Sequence, residues 1–114
     1  MIIKREDVTP YEFEGLAVFD YTAGAQANAS LALIHVPPGG AHREAYSISA
    51  DKYFLVTRGR VLFSLDGQWE ELGEGDLCVA LKNRPYAYKN QTMEPATLAL
   101  FHTPPFRMED ERFT

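Results

Sequence analysis

"RVLFSLDGQWEEL", residues 60–72, is the stretch from which the fold class is read. Asp66 and Gly67 stand between two arms rich in Val, Leu, Phe and Trp. A two-residue type I′ turn demands positive φ at both central positions, which glycine takes freely and aspartate tolerates. The stretch therefore predicts a β-hairpin, with Trp69 and the following "EEL" on the outer side of its return arm.

Working outward, further turn signals follow at short intervals: "TAGAQANAS", "PPGGA", "TRGR", "LGEGD", "KNRPY" and "NQTMEPA". The pieces between them are too short for average helices and rich in β-forming residues, the pattern of an all-β sandwich or barrel with little or no helix. "LALIHVPPGG" and "ATLALFHTPPF" each read as a strand stopped by two prolines, which have no N–H to give a ladder. The final "RMEDERFT" is mostly charged or polar and is expected to form a tail or a short edge element.

A chain of 114 residues with 46% hydrophobic content fits one domain spanning residues 1–114. Sixteen acidic against eleven basic residues give a formal charge of −5, which repels a polyphosphate backbone, so no nucleic-acid partner is expected. No apolar run approaches the roughly 18 residues of a membrane span, so no membrane partner is expected either. The single Cys78 cannot close an internal disulfide, which fits a reducing, cytoplasmic setting. In "GDLCVAL" that cysteine reads as a small buried hydrophobe.

Upstream of the hairpin lies "GGAHREAYSISADKYFLVTRG", residues 39–59. Together with "GDLCVALKNRPYAYKN", residues 75–90, it resembles the two motifs of the cupin superfamily, a small jelly-roll barrel also called a double-stranded β-helix. The resemblance runs from Pro37 to Pro105, about 60% of the chain. The first motif ends in a glycine, matched by Gly59; its metal-binding Glu and two His positions fall on Lys52, Ile48 and Tyr46. In the second, Gly75 and Asn90 stand at the right separation, Tyr86 takes the histidine position, and Leu81 and Asn83 replace the proline and second glycine. The resemblance thus implies a cupin-type jelly-roll barrel over residues 31–105, N-terminal strands within residues 1–21 that would serve as a homodimer arm, and a tail at 106–114.

The ligand set that the family uses is absent from these positions. A catalytic divalent metal needs about three imidazole, carboxylate or thiolate ligands. Isoleucine has no donor, lysine is cationic and neutral tyrosine is a poor ligand. The chain is accordingly read as a metal-independent cupin without cofactor, which binds a small organic, carbonyl or sugar-like ligand. Alternation along an unbroken strand would put His42, Glu44, Tyr46 and Ile48 on one face, and the family frame turns that face inward.

On that register, His42 is the candidate general base, with Tyr46 and Tyr86 as oxygen-holding hydroxyls. The alternative for both tyrosines is that they fill the space left by metal and histidines. Glu44, Ile48, Lys52, Tyr88 and His102 are the candidate ligand-binding residues. An inward Glu44 requires a partner, for which Lys52, the neighbours of Arg43 or a bound ligand are the candidates. His35 and His102 end their strands, and His102 shares the parity of Leu98 and Leu100. Three functions stay open: an acid–base isomerase, epimerase, cyclase or lyase; a non-catalytic ligand-binding or sensing module; and a metal enzyme with displaced ligands His42, Glu44 and His102. A bulge near Arg43 would overturn the register on which these assignments rest.

Overall fold

The computed structural model describes residues 1–114. In chain order the strands are β1 (Tyr11–Phe13), β2 (Leu16–Asp20), β3 (Ser30–Val36), β4 (Ala41–Ser47), β5 (Asp51–Arg58) and β6 (Val61–Leu65). They continue as β7 (Gln68–Leu72), β8 (Leu77–Ala80), β9 (Tyr86–Lys89), β10 (Ala96–Thr103) and β11 (Glu111–Phe113). The helical content is two single turns of 3₁₀ type, Arg5–Asp7 and Met108–Asp110. No helix is long and apolar enough to cross a membrane.

Two antiparallel sheets face each other. One has the order β1-β2-β3-β10-β5-β8 and the other β11-β4-β9-β6-β7, so β10 and β9 each lie between strands distant in sequence, as a jelly roll requires. The β6–β7 hairpin forms as expected. Leu65 pairs with Gln68, and Asp66 and Gly67 take φ of 53° and 82°, the two positive values of a type I′ turn. Trp69 is half exposed on the return arm. The N-terminal strands pair within the chain, β1 on β2 and β2 on β3.

Between the sheets the core holds Leu16, Ile34, Val36, Phe54, Val56, Val61, Phe63 and Leu98. Alternation places these residues inward while their strand neighbours face solvent. The motif residues that survive in the sequence hold this barrel together. A side chain at Gly59 would meet the Pro95 carbonyl oxygen at 2.6 Å, and its φ of +76° favours glycine. Asn90 is buried with every polar atom partnered: Nδ2 donates to the Val36 and Glu94 carbonyls at 3.1 and 2.7 Å. Its Oδ1 accepts from the Thr92 amide at 2.9 Å and the Thr92 hydroxyl at 2.7 Å.

The strand register departs from the sequence reading at one place. His42 pairs with Tyr88 and Ala45 with Tyr86, so three steps on β4 answer two on β9, and one extra residue bulges at Arg43–Glu44. The bulge reverses the parity of everything after it. Ala45 and Ser47 point into the barrel and are buried, whereas Ile48 is 41% exposed. The expectation that Tyr46 and Ile48 share the inner face with His42 is therefore corrected: His42 faces in, and Tyr46 and Ile48 face away.

The segment 106–114 forms an edge element. Its last strand, β11, pairs with β4 through Glu111↔Ser47, Arg112↔Tyr46 and Phe113↔Ala45, and so lies along the mouth of the barrel.

Candidate functional site

The barrel holds one cavity with convergent polar groups, open at its mouth and lined mostly by apolar side chains. Among the sequence candidates, His42, Lys52, Tyr86, Tyr88 and His102 line it. Tyr46, Ile48 and Glu44 do not.

His42 sits in an aromatic cup. Its ring lies 5.2 Å from Phe13, 5.3 Å from Tyr86, 5.2 Å from Tyr88 and 6.3 Å from Phe113, centroid to centroid. The bulge fixes its orientation, because Nδ1 lies 2.7 Å from the carbonyl oxygen of Arg43. A carbonyl only accepts, so Nδ1 carries the hydrogen and Nε2 keeps the lone pair. Burial pushes the imidazole down to about 4, opposed by the bond to the Arg43 carbonyl. At neutral pH it is an uncharged proton acceptor.

The two tyrosines project from β9 on the same face, their rings 6.5 Å apart and nearly parallel. Phe54 and Phe63 back both of them. Tyr86 is held well above the usual phenol range, first by burial and then by the Glu111 carboxylate, and Tyr88 is raised by burial. Both are hydrogen-bond donors rather than phenolates. The Tyr88 hydroxyl has no partner in the protein.

Lys52 reaches across from the other sheet. Its ammonium donates to Tyr86 Oη at 3.3 Å and forms an ion pair with the Glu111 carboxylate, both side chains being almost wholly buried. Burial lowers the lysine, against the Glu111 charge, which raises it. The expected buried pair thus exists with a different carboxylate. Glu44, the expected partner, lies at the bulge, where its carboxylate accepts from the Thr114 hydroxyl at 2.6 Å.

Glu111 lies in "RMEDERFT", whose sequence predicts a tail or short edge element and marks no site. The signal that identifies it is indirect: a buried lysine requires a carboxylate, and Glu44 is carried away by the bulge. Phe13 and Phe113, the outer walls of the cup, were likewise missed.

His102 stands beside Lys52 across the β10–β5 ladder and packs edge-on to Phe106 at 5.2 Å. It is 2% exposed and neither ring nitrogen has a partner. Burial, with a smaller contribution from Lys52, pushes it down to about 3, so it too is neutral. His35 lies outside, its ring tilted against Phe19 at 4.8 Å. Cys78 is half-buried and burial raises its thiol to about 11, the reverse of an activated thiolate.

The donor set does not fit the metal that the fold family implies. At the family's ligand positions stand Tyr46 and Ile48, both facing away, Lys52, which is paired, and Tyr86. The displaced set fails as well, because Glu44 lies outside the cavity and no group of three His, Cys, Asp or Glu side chains comes together.

Comparison with known proteins finds relatives of the fold. The family described as "Cupin domain" matches residues 32–102. Pac13 from Streptomyces, described as a nucleoside dehydratase, superposes with a TM-score of 0.85 at 20% identity, covering 100% of this chain and 90% of that one. Structures of Pac13 variants, one with histidine changed to glutamine and two with tyrosine changed to phenylalanine, are described as being with uridine. A sugar phosphate isomerase from Silicibacter pomeroyi gives a TM-score of 0.76 at 19% identity, with coverage of 90% of this chain and 75% of that one. A predicted oxalate decarboxylase from Thermotoga maritima gives 0.81 at 13%, covering 91% and 99%. No functionally curated protein matches in sequence. The structural likenesses, all at low identity, carry the fold; the family match spans more than half of the residues, and the chain belongs to the cupin family.

Proposed function

We propose that the protein is a metal-independent acid–base enzyme acting on a carbonyl or sugar-like substrate. The observation that carries this reading is the meeting, inside one apolar cup, of a lone-pair nitrogen and a polarised hydroxyl: the His42 ring packs 5.3 Å from the Tyr86 ring, and the Tyr86 Oη has the Lys52 ammonium behind it. The likeness to a nucleoside dehydratase supports it, since the residue types varied in that enzyme, one histidine and two tyrosines, are types this cavity presents.

In this mechanism His42 Nε2 takes a proton from the carbon next to the substrate carbonyl. The electron pair moves onto the carbonyl oxygen, where the Tyr86 hydroxyl donates to the developing enolate. Tyr86 is suited to this because its oxygen already accepts from Lys52, which leaves its own hydrogen free and strengthens it as a donor. Two outcomes then conserve atoms. The imidazolium returns the proton to a different position, an isomerisation or epimerisation, or the enolate expels a β-hydroxyl, which leaves as water with the His42 proton. The apolar wall disfavours the isolated imidazolium and favours the step in which imidazolium and enolate form together.

The test uses a panel of uncharged sugar and nucleoside aldehydes and ketones in D₂O, read by NMR. The wild-type protein is expected to exchange or eliminate at the carbon next to the carbonyl. His42→Gln is expected to lower that rate by about 100-fold or more while retaining ligand-induced thermal stabilisation. Undiminished rate in the variant refutes the assignment, and binding without turnover across the panel assigns the cup to a non-catalytic ligand-binding module.

A further inference from the structure

The charges lining the cavity are unevenly matched. Lys52 is its one cationic side chain, opposed by two carboxylates, Glu111 and Asp20, and no arginine lines it. Lys52 and Glu111 neutralise each other as a buried pair. Asp20 leaves the lining with a net negative charge, its carboxylate accepting from the Thr22 amide and hydroxyl. Among the uncharged polar atoms, the Tyr88 hydroxyl and both ring nitrogens of His102 have no partner in the protein, and the bond at Nδ1 leaves the Nε2 lone pair of His42 for a ligand.

We infer that the site takes an uncharged, oxygen-rich ligand, a free sugar or nucleoside, and discriminates against its phosphate ester. The inference rests on the preceding reading of the cup as the ligand site. Two physical arguments lead to it. A phosphate dianion enclosed by apolar walls must be paired with a cation, and the only cation present would have to abandon Glu111, leaving that carboxylate buried and alone. The hydrogen-bonding groups point the same way. Neutral His102 offers one N–H and one lone pair, Tyr88 a hydroxyl, and His42 Nε2 a lone pair. A ligand hydroxyl both donates and accepts, and so satisfies every one of these. A phosphate dianion only accepts, and leaves the imidazole lone pairs without a hydrogen.

Among the relatives, this separates two chemistries that share the fold, one described as acting on a nucleoside and the other named a sugar phosphate isomerase. In this chain the discriminating element is Glu111, which occupies the lysine that would otherwise be free to meet phosphate.

The experiment measures binding by titration calorimetry for two matched pairs, uridine with uridine 5′-monophosphate and ribose with ribose 5-phosphate, using the full chain at pH 7.5. The unphosphorylated member is expected to bind at least about 10-fold more tightly, a preference of about 1.4 kcal/mol. Glu111→Gln retains an acceptor for Lys52 but frees its charge, and is expected to narrow or invert that ratio. Asp20→Asn removes a cavity carboxylate without touching the buried pair and is expected to narrow it also, which keeps the test available if the first variant does not fold. Equal or tighter binding of the phosphorylated member by the wild-type protein overturns the inference. So does a ratio unchanged in every folded variant, or failure to bind any of the four compounds. Selective binding together with no exchange or elimination across the aldehyde and ketone panel refutes the acid–base mechanism alone, whereas turnover in that panel together with equal or tighter binding of the phosphorylated members refutes charge selection alone.

Discussion

Lowering the pH from 8 to 5 should destabilise this protein through two imidazoles that the fold keeps neutral. In the unfolded chain each takes up a proton near pH 6.5; folded, His42 does so only at about 4 and His102 only at about 3. Their folded values are depressed, so above 6.5 neither contributes a pH dependence. Below it the unfolded state binds protons that the folded state refuses, and stability falls until the folded values are reached. The loss is about 1.4 kcal/mol per pH unit and per group, hence about 2 kcal/mol from each histidine between 6.5 and 5. Both together remove about 4 kcal/mol, a large part of the 5–15 kcal/mol typical of a domain. Urea denaturation at pH 8 and pH 5 reads this directly. Wild type is expected to lose about 4 kcal/mol, and His102→Asn, which has no imidazole to titrate there, about half as much. An equal loss in the two proteins, or no loss in wild type, refutes the claim that the pocket excludes the imidazolium form.

Two further substitutions test the frame and the buried pair. Asn90→Ala deletes bonds to two carbonyls, one amide and one hydroxyl, and is expected to cost about 2–4 kcal/mol by urea denaturation; a cost below about 1 kcal/mol refutes its bridging role. Lys52→Met leaves the Glu111 carboxylate buried without its cation and should cost about 3–5 kcal/mol. Adding Glu111→Leu to it should recover most of that loss, and a double variant no more stable than the single one contradicts the pairing.

The barrel was readable because its signals are local. Asp66-Gly67 can hardly be anything but a hairpin turn, Gly59 and Asn90 are tied to backbone demands, and the alternation that puts Tyr86 and Tyr88 on one face survives because β9 is regular. The site was readable only in part. The sequence points to His42, Lys52, Tyr86, Tyr88 and His102, which line the cavity, but its alternation also turns Tyr46 and Ile48 inward, and the bulge interrupts that alternation. That bulge has no glycine or other compositional mark; it is stabilised by tertiary contacts, with the Arg43 guanidinium 4.1 Å over the Phe113 ring and 3.0 Å from Glu14. Glu111 was hidden for a related reason. A charged residue in a charged segment reads as solvated, and only the pairing of β11 with β4 brings its carboxylate to Lys52.

The single extra residue at Arg43–Glu44 makes β4 a two-faced strand with a movable frame. Beyond it, one set of side chains, Ala45 and Ser47, is small and turned inward, while the other, Tyr46 and Ile48, is larger and turned away. Deleting one residue at the bulge would exchange the two sets with no substitution among them, and would change the local backbone that aims a carbonyl at His42 Nδ1. Insertions and deletions here therefore act as changes in what the barrel's inner wall is made of. Relatives of this chain that differ by one residue in this strand would carry a different inner wall on the same barrel, however similar the rest of their sequence.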